Sequence, residues 1–296
     1  MFARPMLRAA GALALMFTLV CCFQLEQATT LYPDGSGKIE VLFGMKKELI
    51  ETIRQFGDEE DDPLAEFANP RQLLENTEGF VAWSRGEEEV TDEYVSVRMT
   101  GYFEDVSKVK LYNDAEEGED GESEEKTLSL AFEYSTKDGL HTLLMRNEFA
   151  DDRLDDFGLG EDEEEVEEEG DGEDDGSMDE FEAEMMEMMK SMFEGMRFEM
   201  SVTVPGEIVE AEGLDIDGRT ASFGYDDELL FAALEDENSE AAKKMDSLGD
   251  AENLRVVWKS GEVSEEALEA FRTEMAEAKA DWEKRLAELE EESDEE

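Results

Sequence analysis

The stretch MRFEMSVTVPGEIVEAEGLDIDGRTASFGYD, Met196 to Asp226, decides the fold class. Strand character over Arg197–Val204 and Glu207–Ala211 flanks Pro205-Gly206 and resumes over Arg219–Tyr225 after the turn Asp215-Ile216-Asp217-Gly218, so the stretch reads as a small antiparallel meander. Upstream, the runs Gly79–Ser84, Tyr94–Tyr102, Lys108–Tyr112, Leu128–Tyr134 and Leu140–Asn147 alternate well enough to join one antiparallel sheet. TTLYPDGSGKIEVLFGM, Thr29 to Met45, reads as a hairpin whose returning strand alternates Ile39, Val41, Phe43 and Met45. Leu254–Trp258 completes the strands.

Helical spacing appears between and after these runs. Lys46–Phe56 carries Leu49, Ile50, Ile53 and Phe56 on one stripe, Pro70–Leu74 starts a second helix, and Leu229–Leu234 forms a short apolar one. Ser264 caps a helix running toward Glu291, with Leu268, Phe271, Met275, Ala278, Trp282 and Leu289 near heptad a and d places and a break at Arg285. We expect this helix to pack on its own domain rather than form a coiled coil with a partner. The expected class is α+β: an antiparallel sheet with packed amphipathic helices, long disordered acidic loops and a C-terminal helix.

The chain has 296 residues, with 84 acidic and 26 basic side chains for a formal charge of -58, which excludes a nucleic-acid-backbone binder. A 40% hydrophobic content is enough to build a core. Self-repulsion on this scale opposes compaction, and salt or divalent cations are expected to tighten the fold by screening it. Two tracts concentrate the acid: Asn113–Glu125 holds eight carboxylates and Glu161–Gly176 holds twelve. Removing those twenty still leaves 64 acids against 26 bases, so the folded surface is acidic as well. The expected organisation is a signal segment over 1–22, an α+β domain over 23–260 with disordered acidic inserts at 113–126 and 150–177, and a C-terminal helix and acidic tail over 261–296.

Arg4 and Arg8 precede AAGALALMFTLVCCF, about fifteen apolar residues, the length and polarity of a secretory signal rather than of a spanning helix. The run ends in Cys21 and Cys22, the only cysteines, so neither a disulfide framework nor a four-thiolate metal site is available. Leu19, Val20 and Cys21 before Cys22 are similar to the lipobox of bacterial lipoproteins, whose cysteine carries the acyl chains; Cys21 stands where Gly, Ala or Ser is usual. Lipidation is therefore expected at Cys22. It would hold the protein at the bacterial cell envelope as a membrane-anchored lipoprotein, the alternative being a secreted or periplasmic chain. Acyl chains contribute about 0.8 kcal/mol per buried CH₂, which holds a strongly acidic protein on a surface that would otherwise repel it.

Two segments suggest ligands. Met178–Gly195 reads as an amphipathic helix with Phe181, Met185, Met188, Met189 and Met192 at helical spacing. Thioethers suit Cu(I), and a methionine stripe suits an adaptable docking surface, but no His or Cys joins them and core packing is the preferred reading. DGEDDGSMDEFE resembles an EF-hand loop: Asp171, Glu173, Asp175, Ser177, Asp179 and Glu182 take positions 1, 3, 5, 7, 9 and 12, with Gly176 at the turn. Glu173 departs from the usual Asp or Asn, and the preceding stretch lacks an entering amphipathic helix. Loosely bound calcium or magnesium is expected on this tract, and no other cofactor.

Val204, Pro205, Gly206, Gly213 and Gly218, together with Tyr32-Pro33-Asp34-Gly35-Ser36-Gly37 after the lipobox-like cysteine, resemble the LppM-like domain of bacterial envelope lipoproteins. The resemblance spans roughly fifty residues of turn chemistry and implies an α+β domain exposed at the envelope, with a lipid or glycolipid as ligand. It transfers no binding residues.

Catalytic chemistry has little sequence support. His141 is the only histidine and reads as structural, and no serine sits in a Gly-x-Ser-x-Gly elbow. The leading expectation is therefore a non-enzymatic ligand- or partner-binding module with no nucleic-acid partner and an unidentified protein partner. The alternatives are an acidic divalent-cation binder and a hydrolase using an unassigned carboxylate pair. Cell fractionation tests the anchor: Cys22→Ala should move the protein out of the membrane fraction while Cys21→Ala leaves it there, and retention of the double variant in membranes would refute lipidation.

Overall fold

A computed structural model describes residues 23–56, 62–112, 128–147, 190, 193–235, 238–249 and 253–294. The N-terminal hairpin forms as its alternation and turn require, with β1 (Phe23–Leu31) antiparallel to β2 (Gly37–Lys46). There follow α1 (Lys47–Phe56), α2 (Pro63–Phe67), α3 (Pro70–Asn76), β3 (Thr77–Glu78), β4 (Phe80–Arg85), β5 (Glu89–Val90) and β6 (Tyr94–Phe103). A single 3-10 turn, Val106–Lys108, leads to β7 (Lys110–Tyr112), then β8 (Leu128–Lys137) and β9 (Leu140–Asn147). The second half contains β10 (Arg197–Thr203), β11 (Ile208–Glu212), β12 (Asp215–Asp217) and β13 (Thr220–Asp226). The last elements are α4 (Asp227–Glu235), α5 (Glu240–Gly249), β14 (Asn253–Lys259) and α6 (Glu265–Asp294).

These strands make two sheets, not the single antiparallel sheet the alternation suggested. The larger runs β12-β13-β10-β1-β2-β6-β4, with β5 on β6; the smaller runs β11-β14-β9-β8-β7-β3. One pairing in the larger sheet is parallel, β1 with β10. Residues paired across a ladder share a face. Ile39, Met200, Val202 and Ala221 therefore project from the larger sheet into the same core as Phe132, Leu143, Met145, Leu254, Val256 and Trp258 of the smaller one. The sheets pack face to face over that core.

The expected meander over 196–226 is also corrected. β10 pairs with β13, while β11, lying between them in sequence, pairs with β14 in the other sheet. The cause lies at Pro205-Gly206. Pro205 has no N–H to continue the ladder, and Gly206 passes so close to the carbonyl of Lys259 that a Cβ there would overlap it. The Lys259 N–H then donates to Glu207 O at 3.0 Å, which draws the chain across to β14.

α6 begins as expected at Ser264, whose Oγ accepts from the Ala267 N–H at 3.2 Å. Its stripe Leu268, Phe271, Met275, Ala278, Trp282 and Leu286 packs on Trp83, Met99 and Tyr102, so the helix lies on its own sheet and the apolar seam continues past Arg285. Phe271 is 1% exposed, and its ring stacks on Tyr32 at 4.2 Å. Polar contacts fix the register of the helix: Glu274 Oε1 accepts from Tyr102 Oη at 2.8 Å and from Lys38 Nζ at 3.1 Å, and Arg272 donates to Asp34 at 3.1 Å. Asp34 also accepts from Ser36 N–H and Oγ, so α6 holds the hairpin turn. Leu49 and Ile50 of α1 and Leu64 of α2 cover the other end of β2 and β6 through Met45, Val95 and Val97.

Burial, reinforced by the hydrogen bond and negative charge of Glu274, pushes the Tyr102 phenol up to about 12. A group whose folded value lies above its unfolded value contributes stability that is fully present below the unfolded value. For Tyr102 that contribution is present below about pH 10 and disappears as pH rises through about 12. Thermal melts from pH 8 to 12 should therefore show a steeper alkaline decline for the native chain than for Tyr102→Phe; parallel curves would refute the coupling. Phe271→Ala should cost about 3–5 kcal/mol in urea unfolding, because the seam beneath α6 leaves little room to collapse.

Candidate functional site

An open cleft of about 490 Å³ lies where β10 begins and β13 ends, lined by Arg197, Phe198, Glu199, Gly224, Tyr225, Asp226, Leu229 and Lys244. Its volume falls in the range of small-molecule sites. The antiparallel register Arg197↔Asp226, Phe198↔Tyr225 and Glu199↔Gly224 builds one wall. α4 starts directly after Asp226, whose Oδ1 accepts from the Leu229 N–H at 2.9 Å and turns Leu229 into the cleft wall. α5 brings Lys244, which pairs with Asp215 of β12 at 3.3 Å.

Charges of both signs stand around an aromatic support. Arg197 bonds Glu199 at 2.6 Å and reaches Glu26 at 3.6 Å. On the opposite parity of the ladder, Phe198 stacks on Tyr225 at 5.3 Å, and Phe223 meets both rings at 5.5 and 6.0 Å. Burial pushes the Tyr225 phenol above its ordinary value, so it remains a neutral donor through physiological and mildly alkaline pH. The cleft therefore offers donors from Arg197 and Lys244, acceptors from Glu199 and Asp226, and apolar surface from Leu229, while Phe198 and Tyr225 turn to the other face of the ladder and back its wall.

A second polar cluster sits at the end of the smaller sheet. His141 Nδ1 is 2.6 Å from Tyr134 Oη and 3.2 Å from Thr136 Oγ1, and Nε2 is 2.7 Å from Ser260 Oγ. The imidazole stacks at 15° against both Tyr134 and Trp258, with centroids 5.9 and 5.5 Å away. The lone histidine is thus hydrogen-bonded at both nitrogens.

Most of the sites expected from sequence fall elsewhere. Cys22 and the EF-hand-like set Asp171, Glu173, Asp175, Ser177, Asp179 and Glu182 lie outside the described residues, as do Met185, Met188, Met189 and Met192. Among the described residues no group of three or more His, Cys, Asp and Glu is placed to hold a metal ion. Among them, too, no helix is long and apolar enough to cross a membrane. Neither the cleft nor the Ser260–His141 pair was anticipated. The cleft residues carry no motif, and Ser260 is 119 residues from His141 in sequence.

No protein-family model and no curated protein matches the chain. Among solved structures, the NMR structure of the folded domain of LppM from Mycobacterium tuberculosis is similar at 8% identity and a TM-score of 0.33, covering 82% of this chain and 92% of that one. It belongs to the kind of domain that the Pro205-Gly206, Gly213 and Gly218 turns resemble. The likeness assigns no residue, so the functional reading rests on the cleft.

The Tyr225 environment can be checked by absorbance titration of the phenols. The late-ionising amplitude, to which Tyr102 also contributes, should be smaller by one phenol in Tyr225→Phe; loss of that phenol from the ordinary, earlier-ionising amplitude instead would place Tyr225 in water.

Proposed function

We propose that the protein is an exported, lipid-anchored component of the bacterial cell envelope whose folded part binds an amphiphile, a glycolipid, in the cleft at the β10 and β13 ends without turning it over there. The supporting observation is the mixture of groups lining that cleft. A hydroxyl both donates and accepts, so a polyhydroxylated head can use Arg197 and Lys244 together with Glu199 and Asp226, whereas an anionic head would meet two carboxylates at once. The formal charge of -58 disfavours anionic ligands at longer range as well. Leu229 supplies the apolar surface for the ligand's chain or sugar face. Glu199 and Asp226 are already tied to Arg197 and to the Leu229 N–H, which favours holding a ligand over an acid/base reaction in the cleft.

Calorimetry with an alkyl glycoside below its micelle threshold tests this reading. The glycoside should bind at least about tenfold tighter than an alkyl phosphate of equal chain length, a difference of about 1.4 kcal/mol. The double variant Leu229→Asp, Lys244→Ala should lose that binding. A preference for the phosphate, or undiminished binding by the variant, would refute the assignment. Deleting Glu161–Gly176 should leave glycoside binding unchanged; if calcium binding also vanishes in that deletion, the acidic tract has a separate cation-collecting role.

A further inference from the structure

Ser260, His141 and Tyr134 are contributed by three neighbouring strands and by nothing that lines the cleft. His141 lies on β9, in register with Thr136 of β8 on one side and Trp258 of β14 on the other. Ser260 follows β14 directly, and its N–H reaches Gly139 O at 3.4 Å, extending the β9–β14 ladder by one step. Two residues beyond Trp258, Ser260 keeps the parity that aims its hydroxyl back at the imidazole. We infer that these residues form an ester-cleaving site in which Ser260 Oγ is the nucleophile, His141 Nε2 is the base and Tyr134 Oη positions the imidazole.

Three observations support this assignment independently of one another. The first is the relay itself: a nucleophile within hydrogen-bond reach of a base whose far nitrogen is held by a third group is the general arrangement of an activated serine. With its proton on Nδ1, His141 donates to Tyr134 Oη and leaves the Nε2 lone pair to accept from Ser260. The imidazole cannot easily turn away, because Tyr134 and Trp258 stack on it and Trp258 is 1% exposed. The second is access. Ser260 is exposed, and no atom lies within 4 Å of where a Cβ on neighbouring Gly139 would stand, so an incoming carbonyl has room above the hydroxyl. The third is the peptide after the nucleophile. The Gly261 N–H has no hydrogen-bond acceptor among the described residues. Gly261 is also wedged against Pro205 and Gly206 so closely that a Cβ would strike the Pro205 carbonyl. An unengaged N–H on an immobilised peptide next to the nucleophile is the donor that a tetrahedral oxyanion requires.

The reaction balances with water as the only co-reactant. Ser260 Oγ bonds to the ester carbonyl carbon as its proton passes to His141 Nε2, the C–O bond to the alcohol breaks, and that proton leaves with the alkoxide. Water, deprotonated by the same nitrogen, then releases the acid and restores Ser260. Among the described residues His141 is held by Tyr134 and Thr136 and by no carboxylate, and Ser260 is exposed, so the fitting substrates are uncharged, activated esters, turned over slowly. This site lies on the smaller sheet and the cleft on the larger one, so it stands or falls apart from glycolipid binding.

The test uses the full chain with p-nitrophenyl acetate and with a serine-reactive fluorophosphonate, the adduct being mapped by peptide mass. The native protein should hydrolyse the ester and carry the adduct on Ser260. Ser260→Ala, a change at an exposed position, should abolish both. His141→Gln should slow hydrolysis by at least about a hundredfold, the contribution of a positioned general base. Tyr134→Phe should lower kcat with KM unchanged, a split that loss of packing alone would not give. Hydrolysis that persists in Ser260→Ala would assign the reaction to the imidazole alone and overturn the proposal, as would an absence of adduct on Ser260 in the folded native chain.

Discussion

Seven register pairs, from Gln24 with Arg197 to Thr30 with Thr203, join β1 to β10, and the rest of the architecture depends on them. The two strands are far apart in sequence, so the ladder must close a very long loop before it gains anything, and a parallel pair cannot be reached by a tight turn. Hydrophobic burial holds β1 chiefly at its end, through Leu31. Gln27 Nε2 and Thr29 Oγ1 face inward and have no hydrogen-bond partner among the described residues, which costs about 1–3 kcal/mol each. β1 is held by backbone pairing on both edges, to β2 and to β10. Once it is in place, the hairpin, the β10–β13 pair and α6 share one sheet, and the smaller sheet has a continuous apolar face to cover.

The acidic composition shapes how the scarce bases are used. Lys38, Arg54, Arg197, Arg255 and Arg272 each bridge to carboxylates, and several reach two at once. Partly exposed pairs of this kind contribute little individually. Their value here is local neutralisation, because an unpaired carboxylate on the same sheet would face many others of its sign. Asp34 shows the balance. Burial alone would raise its carboxyl, but hydrogen bonds from Ser36 and Arg272 and the charge of Arg272 hold it below the ordinary value, so the turn stays anionic and keeps its grip on α6.

The N-terminal hairpin could be read from sequence because Ile39, Val41, Phe43 and Met45 alternate beside a Pro-Asp-Gly turn, and α6 because Ser264 and a seam of large apolar residues mark its start and its face. The division into two sheets could not, since Leu143 and Val202 alternate identically although they stand on opposite sheets. Pro205-Gly206 looks like a hairpin turn until Lys259 is seen packed against it, a contact made by the fold alone. α5 was missed because Lys243, Lys244 and Ser247 interrupt its apolar spacing. The cleft and the histidine cluster follow the same rule. Each is an accident of strand order, gathering Arg197 with Lys244, or His141 with Ser260, from segments that nothing in the chain links beforehand.

Strand direction carries a geometric consequence for the proposed anchor. β1 begins at Phe23, directly after Cys22, and Gln24 stands opposite Arg197 on the rim of the cleft. Two residues of extended chain reach about 7 Å, and adjacent strands lie about 5 Å apart. Acyl chains on Cys22 would moor the mouth of the cleft within about a headgroup's thickness of the leaflet, and capture would then become a search in two dimensions at a high effective concentration. Such a tether would confine the search to the one leaflet that carries the anchor.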